Sequence, residues 1–178
     1  MRKLAGFLRR WAGRENGNAT IEFCIWFPFF IGLVGSAFEA SLITTRQALM
    51  IGALDRTVRD LQLGNLGNPT HAELKATICN TAGVIPDCAN ALHIEMERIS
   101  TTDWAFRTGQ VQCVDKDQST EPAVNFVNGT TNDLMLITIC AAIRTMVPVT
   151  GLGLKLPKIN GGEHYAIIAY SAFVVEPA

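Results

Sequence analysis

From Phe23 to Phe38 the chain carries no charged residue, and continuing to Thr45 crosses only Glu39, an apolar run near the ~20 residues a membrane-crossing helix needs. Pro28 falls inside it, where it removes a backbone donor and crowds the preceding turn, predicting a kink or local loosening. Beyond the run the pattern turns amphipathic. Ile43, Met50, Leu54, Val58 and Leu61 recur at three-, four- or seven-residue intervals, with Arg46, Arg56, Arg59 and Asp60 on other faces. Asp55 with Arg59, and Arg56 with Asp60, are spaced to support an exposed helical face. The pattern predicts one helix from about Ala19 to Leu63, roughly 65–70 Å long, its first half in lipid and its second half docked on a domain. Gly64, Gly67 and Pro69 form the stop signal.

A second helix is predicted over 70–80, with Thr70 as cap and Glu73 three residues on, the spacing of a capping box. Strand patterns follow. Leu92, Ile94 and Met96 alternate with His93, Glu95 and Glu97 as a half-buried strand; further apolar strands are predicted over about 134–146 and about 165–175. The polar stretch 101–131 carries Gly109, Pro122, Asn128 and Gly129 as turn formers, and 148–162 is a connection punctuated by Gly and Pro. The economical fold class is α+β, a long N-terminal, partly transmembrane helix packed on a small antiparallel sheet. The expected organisation is a basic leader over 1–17, the long helix over 18–63 and an α+β domain over 64–178.

Composition sharpens this picture. Apolar residues make up 48% of the 178, high for a purely soluble protein. The formal charge of −1 hides an asymmetry: Arg2, Lys3, Arg9, Arg10 and Arg14 precede Asn18 against one acid, Glu15, so of 15 basic and 16 acidic residues ten and fifteen lie beyond, a formal charge of −5. Lys and Arg beside an apolar run stay on the cytoplasmic side, so the C-terminal domain is expected outside it, periplasmic or extracellular. A mildly acidic domain gives no electrostatic reason to expect a nucleic acid partner. Cys24 lies in the apolar run, while Cys79, Cys88, Cys113 and Cys140 form an even set beyond it. An oxidising compartment would let those four pair in any of three connectivities; sequence proximity favours Cys79 with Cys88 and Cys113 with Cys140, and buried free thiols are the alternative.

The pattern offers no catalytic spacing. His71, His93 and His164 are scattered and expected on the surface. The four cysteines lie no closer than nine residues apart, without the short gaps of a zinc site. No phosphate-cradling glycine loop or nucleophile elbow is present, and no cofactor is expected. Asp115 and Asp117 could hold a cation, but as a lone pair they read as solvated acids.

The stretch from Gly17 to Phe23 is the unusual one. Glu22 places a carboxylate just inside a segment otherwise fit for a bilayer, and a charge at the centre of a spanning helix costs roughly 2.5–3.5 kcal/mol on insertion scales. Cleavage after Gly17 would supply a partner, the new amino group of Asn18. The order Gly17, Glu22, Phe23, Pro28, Gly35, Phe38, Glu39 resembles the TadE-like pseudopilins of tight-adherence (Flp) pilus systems. It has a glycine cleavage point, Glu-Phe at the fifth and sixth mature positions, a proline at the eleventh, and a second Glu after the apolar stretch. The segment departs from the family in being aromatic, with Phe23, Trp26, Phe27, Phe29 and Phe30 where aliphatics are usual.

The resemblance implies a minor pilin or pseudopilin of a type IVb pilus, without catalytic activity, that contributes to pilus biogenesis and surface adhesion. A membrane-embedded prepilin peptidase would cut after Gly17; the chain would then pass from inner-membrane lipid into or onto a pilus. Its implied partners are other pilins or pseudopilins and the pilus assembly platform. Glycine before the scissile bond presents unobstructed backbone, and Glu22 would meet the Asn18 amine, its own or a neighbour's. Other fates stay open: an uncleaved signal anchor; a secretory signal cut after Ala37, since Gly35, Ser36 and Ala37 are small at the right offsets; or a single-pass subunit of an envelope secretion or assembly complex.

Overall fold

The computed structural model describes residues 18–102, 111–117, 122–148 and 151–176. Its first element, α1 (Asn18–Gln62), is a 45-residue helix that runs through Pro28. It ends as the glycines predict. Gly64 takes a positive φ of 72°, its N–H reaches the Leu61 carbonyl, and the Asn65 N–H reaches that of Asp60, so two carbonyls of the last turn are satisfied. The pairs Asp55–Arg59 and Arg56–Asp60 do not close; Asp60 accepts from the Asn65 side chain instead.

α2 (His71–Ala82) starts at Thr70, whose hydroxyl accepts from the Glu73 N–H while the Glu73 carboxylate accepts from the Thr70 N–H. It runs two residues past the expected end, because the left-handed Gly83 closes it. A short α3 (Cys88–Ala91) leads into β1 (Leu92–Ile99), followed by β2 (Leu134–Arg144), α4 (Gly151–Lys155), a 3₁₀ turn (Ile159–Gly161) and β3 (His164–Val174). The strands form an antiparallel meander in the order β1-β2-β3. In the register, Ile94 lies opposite Ile139, which lies opposite Ala169. This row and its neighbours Met96, Ile137, Ala141 and Ile167 point to one face, onto which α1 and α2 pack.

The core therefore joins the second half of α1, with Met50, Ala53, Leu54, Val58 and Leu61 buried, to Leu74 and Ile78 of α2 and the inner face of the sheet. The amphipathic stripe read from the sequence is this surface. Thr57, on the same stripe, is buried with its hydroxyl donating to the Ala53 carbonyl, so it costs no unpaired group.

Two disulfides tie the periphery down. Cys79–Cys88 joins α2 to α3, and Cys113–Cys140 fastens the segment 111–117 to the middle of β2. Cys140 lies opposite His93 and Ile168, on the sheet face turned away from α1. The Cys113 strap therefore crosses the face that carries His93. His93 is 4% exposed, not on the surface as its place on a polar strand face predicts, and His71 and His164 are half-buried.

Candidate functional site

The first half of α1 presents its apolar side chains outward. Eleven large ones between Ile21 and Phe38 are exposed, among them Phe23 at 62%, Trp26 at 64% and Phe29 at 70%. Phe23 stacks obliquely on Phe27 at 5.1 Å and Trp26 on Phe29 at 6.2 Å, contacts within the helix that cover little of this surface. Leaving so many large groups in water forfeits on the order of 10–20 kcal/mol, as much as the stability of a whole domain. A helix apolar on all sides requires an apolar surrounding. α1 is one helix long and apolar enough to cross a membrane.

Gly17 and the leader lie outside the described residues. Asn18 opens α1, and Glu22 is exposed one turn further on, with no ion-pair partner among the described residues. Phe23, Trp26 and Pro28 share the exposed half, as does the free thiol of Cys24. Gly35 is half-buried. Between Ala19 and Phe38 the residues that are not exposed are Gly32, Gly35 and Ser36, and they lie along one side of the helix. That side leads to Glu39.

Glu39 is fully buried. Its carboxylate accepts from the Met146 N–H at 3.1–3.2 Å and from the Val147 N–H at 3.1 Å. These donors lie just past the end of the β2 ladder, where no strand partner takes them. A buried carboxylate is tolerated when backbone dipoles replace its water, and charge-assisted bonds of this kind are about twice as strong as neutral ones. Two turns along the same side, Arg46 acts on Tyr165 from β3. Burial pushes the Tyr165 phenol above its ordinary value; the nearby Arg46 guanidinium pulls it down and Glu39 adds to the rise. The Tyr165 hydroxyl and one Arg46 Nη are buried without a closed hydrogen bond, yet close enough for the guanidinium to act on the phenol. Glu39, Arg46, Tyr165 and the Met146–Val147 turn thus form a polar joint where the apolar half of α1 meets the domain. The sequence marks Glu39 only as the acid that ends the apolar run; its acceptor role depends on a turn more than a hundred residues away.

The remaining candidates are structural. Asp115 accepts from the Asp117 N–H at 3.0 Å and from the Asn160 side chain at 2.8 Å, and Asp117 accepts from the Glu163 N–H at 3.2 Å beside His164. These acids lock the strap to the turn before β3; they are not merely solvated. No group of three metal-ligating side chains occurs among the described residues. At the other end of α1, a cavity of about 690 Å³ opens between Leu61, Gly67, Met96, Asn128 and Phe173. It gathers no titratable cluster.

Compared with known proteins, the chain matches no family model, no curated protein and no solved structure.

Proposed function

We propose that this chain is a minor pilin or pseudopilin of a tight-adherence (Flp) type IVb pilus, pilin-like in fold and without catalytic activity. A prepilin peptidase cuts it after Gly17. Until assembly it resides in the bacterial inner membrane, with its amino end at the cytoplasmic face and its domain in the periplasm. The observation that carries this reading is the division of one continuous helix: an apolar, exposed first half and a second half built into the core of an α+β domain. Such a half-helix can exchange lipid for a bundle of like helices, one apolar surrounding for another, without exposing its side chains to water.

Glu22 supports the same reading. Paired with the Asn18 amine of its own or a neighbouring subunit, it would gain up to ~4 kcal/mol at 4 Å and an effective dielectric near 20, before desolvation. That is enough to set the axial register of stacked helices. The partners are the peptidase, other pilins and the assembly platform.

N-terminal sequencing and intact mass of the protein from its native host test the proposal: 161 residues beginning at Asn18 are expected. A chain that keeps Met1, or one that starts at Phe38, overturns it. Gly17→Phe is expected to block processing, while Glu22→Ala is expected to leave processing intact and deplete the subunit from sheared pili. A Glu22→Ala variant recovered from pili at the wild-type level refutes the register role.

A further inference from the structure

We propose that the underside of the domain, α4 together with Met146, seats on the phospholipid headgroup layer of the bilayer that α1 crosses. The inference rests on the membrane-spanning part of the reading above and adds a second, peripheral contact with lipid.

The argument begins with level. From Asn18 to Phe38 the helix rises about 30 Å, the thickness of a bilayer's hydrocarbon core, so Glu39 stands where hydrocarbon gives way to headgroups. The bonds from Met146 and Val147 to Glu39 fix the start of the β2–β3 connection at that level. α4 is tied to the same turn. A Cβ on Gly153 would stand 2.6 Å from the Val147 carbonyl oxygen and 3.3 Å from the Pro148 Cα, so the absence of a side chain lets α4 fold directly back onto the anchored residues. α4 also packs on α1 itself.

Its chemistry suits that place. Leu154 is 71% exposed and Met146 is 59% exposed, although the domain has a core that could have covered them. Lys155 is exposed beside Leu154, with no ion pair among the described residues, and its long stem can carry the ammonium to a phosphate. Glu163, the acid next in the chain, is held by Arg144 at 2.6 Å and does not oppose an anionic headgroup unpaired. Exposed apolar tips flanked by a free lysine, held beside an apolar helix, are the features of a segment lying in the interface plane.

The test is a depth measurement on the full chain, with both disulfides intact and Cys24→Ser, reconstituted sparsely in phosphatidylcholine vesicles. A nitroxide is placed in turn at Leu154→Cys, at Tyr170→Cys on the exposed outer face of β3, and at Phe30→Cys in the apolar half of α1. Collisions with a water-soluble nickel chelate are compared with collisions with oxygen. At 154 the chelate is expected to collide at least roughly fivefold less often than at 170, with oxygen favoured, as for a site at the acyl boundary. A label at 154 as open to the chelate as 170, with 30 shielded, overturns the seat and leaves the span intact. Shielding at 154 that grows with protein-to-lipid ratio overturns it too, because a second copy would then be the cover. If 30 is itself open to the chelate, the span fails, and the seat with it.

Discussion

Glu39→Ala removes the acceptor of two part-buried backbone donors and leaves nothing in its place. An orphaned N–H costs about 1–3 kcal/mol when buried, so two cost at most about 2–6 kcal/mol, and part-buried ones fall toward the lower end. An opposing term exists, since burying a carboxylate costs several kcal/mol and its removal returns that. The first term wins here because alanine neither reaches the Met146 and Val147 N–H groups nor fills the space, so both lose the carboxylate that bonds them in the fold. A net loss of about 2–4 kcal/mol lowers the melting temperature by about 5–15 °C in a chain of this size. Glu39→Gln keeps one acceptor oxygen without charge and should lose about 1–2 kcal/mol. The assay is urea and thermal unfolding of the full chain in detergent micelles, with hydrogen exchange read at the two amides. Both should lose protection in Glu39→Ala while the Ile137 and Ile139 amides in the sheet keep theirs at low denaturant. Unchanged or raised stability, with the 146 and 147 amides still protected, would show that the carboxylate is not their acceptor in solution.

Gly153→Val forces a branched side chain against backbone that cannot yield, since both the Val147 oxygen and the Pro148 Cα lie within 3.3 Å of its first carbon. It should destabilise the domain by about 1–3 kcal/mol and open α4 to proteases. Acid should weaken the fold through three carboxylates held below their ordinary values: Glu73 by bonds from the Thr70 N–H and hydroxyl, Asp87 by Lys116 and Asn90, and Asp133 by the Thr130 N–H and hydroxyl. Depressed in the folded state, they contribute stability that is complete above 4.5 for Glu73 and 3.8 for the two aspartates, and is lost as pH falls through the lower folded values. The urea midpoint should therefore drop between pH 5 and pH 3, and drop less in the combined variant Glu73→Gln, Asp87→Asn, Asp133→Asn. Replacing both Cys113 and Cys140 by Ser opens a loop of 27 residues, expected to lose about 3–4 kcal/mol. It should also make His93 reactive toward diethyl pyrocarbonate, and a His93 that stays protected would show that the strap does not cover it.

Much of the architecture was legible because local patterns and tertiary packing agree. The stripe from Met50 to Leu61 is both helical in period and the surface that the sheet covers, and Thr70 with Glu73 form the cap their spacing predicts. Where prediction and structure part, distant residues decide. The pattern predicts β2 to reach Met146, whose side chain is apolar enough for a strand, but the Met146 N–H turns to Glu39 and the ladder stops at Arg144. α4 carries no helical signal because Gly151 and Gly153 discourage a helix in isolation, while in the fold Gly153 is the residue that lets the backbone close on itself. His93 read as solvent-facing because alternation assigns a face of the sheet without saying what lies on it.

The two acids of the apolar half and its boundary show the same limit from the other side. Glu22 and Glu39 bracket the uncharged run, and by pattern alone each is a lone acid at one of its ends. The structure separates them. Glu39 finds backbone donors inside its own domain and is complete in a single chain, whereas Glu22 stays exposed on a surface that must itself be covered. A carboxylate satisfied from within contributes to the fold; one left open at an apolar surface must find its partner elsewhere, under the proposed cleavage at the Asn18 amine of its own or a neighbouring chain. Stability and assembly should therefore respond separately to the two substitutions, Glu39→Ala lowering the melting temperature and Glu22→Ala leaving it unchanged, and a shared response would mean that the helix does not divide its work at Phe38.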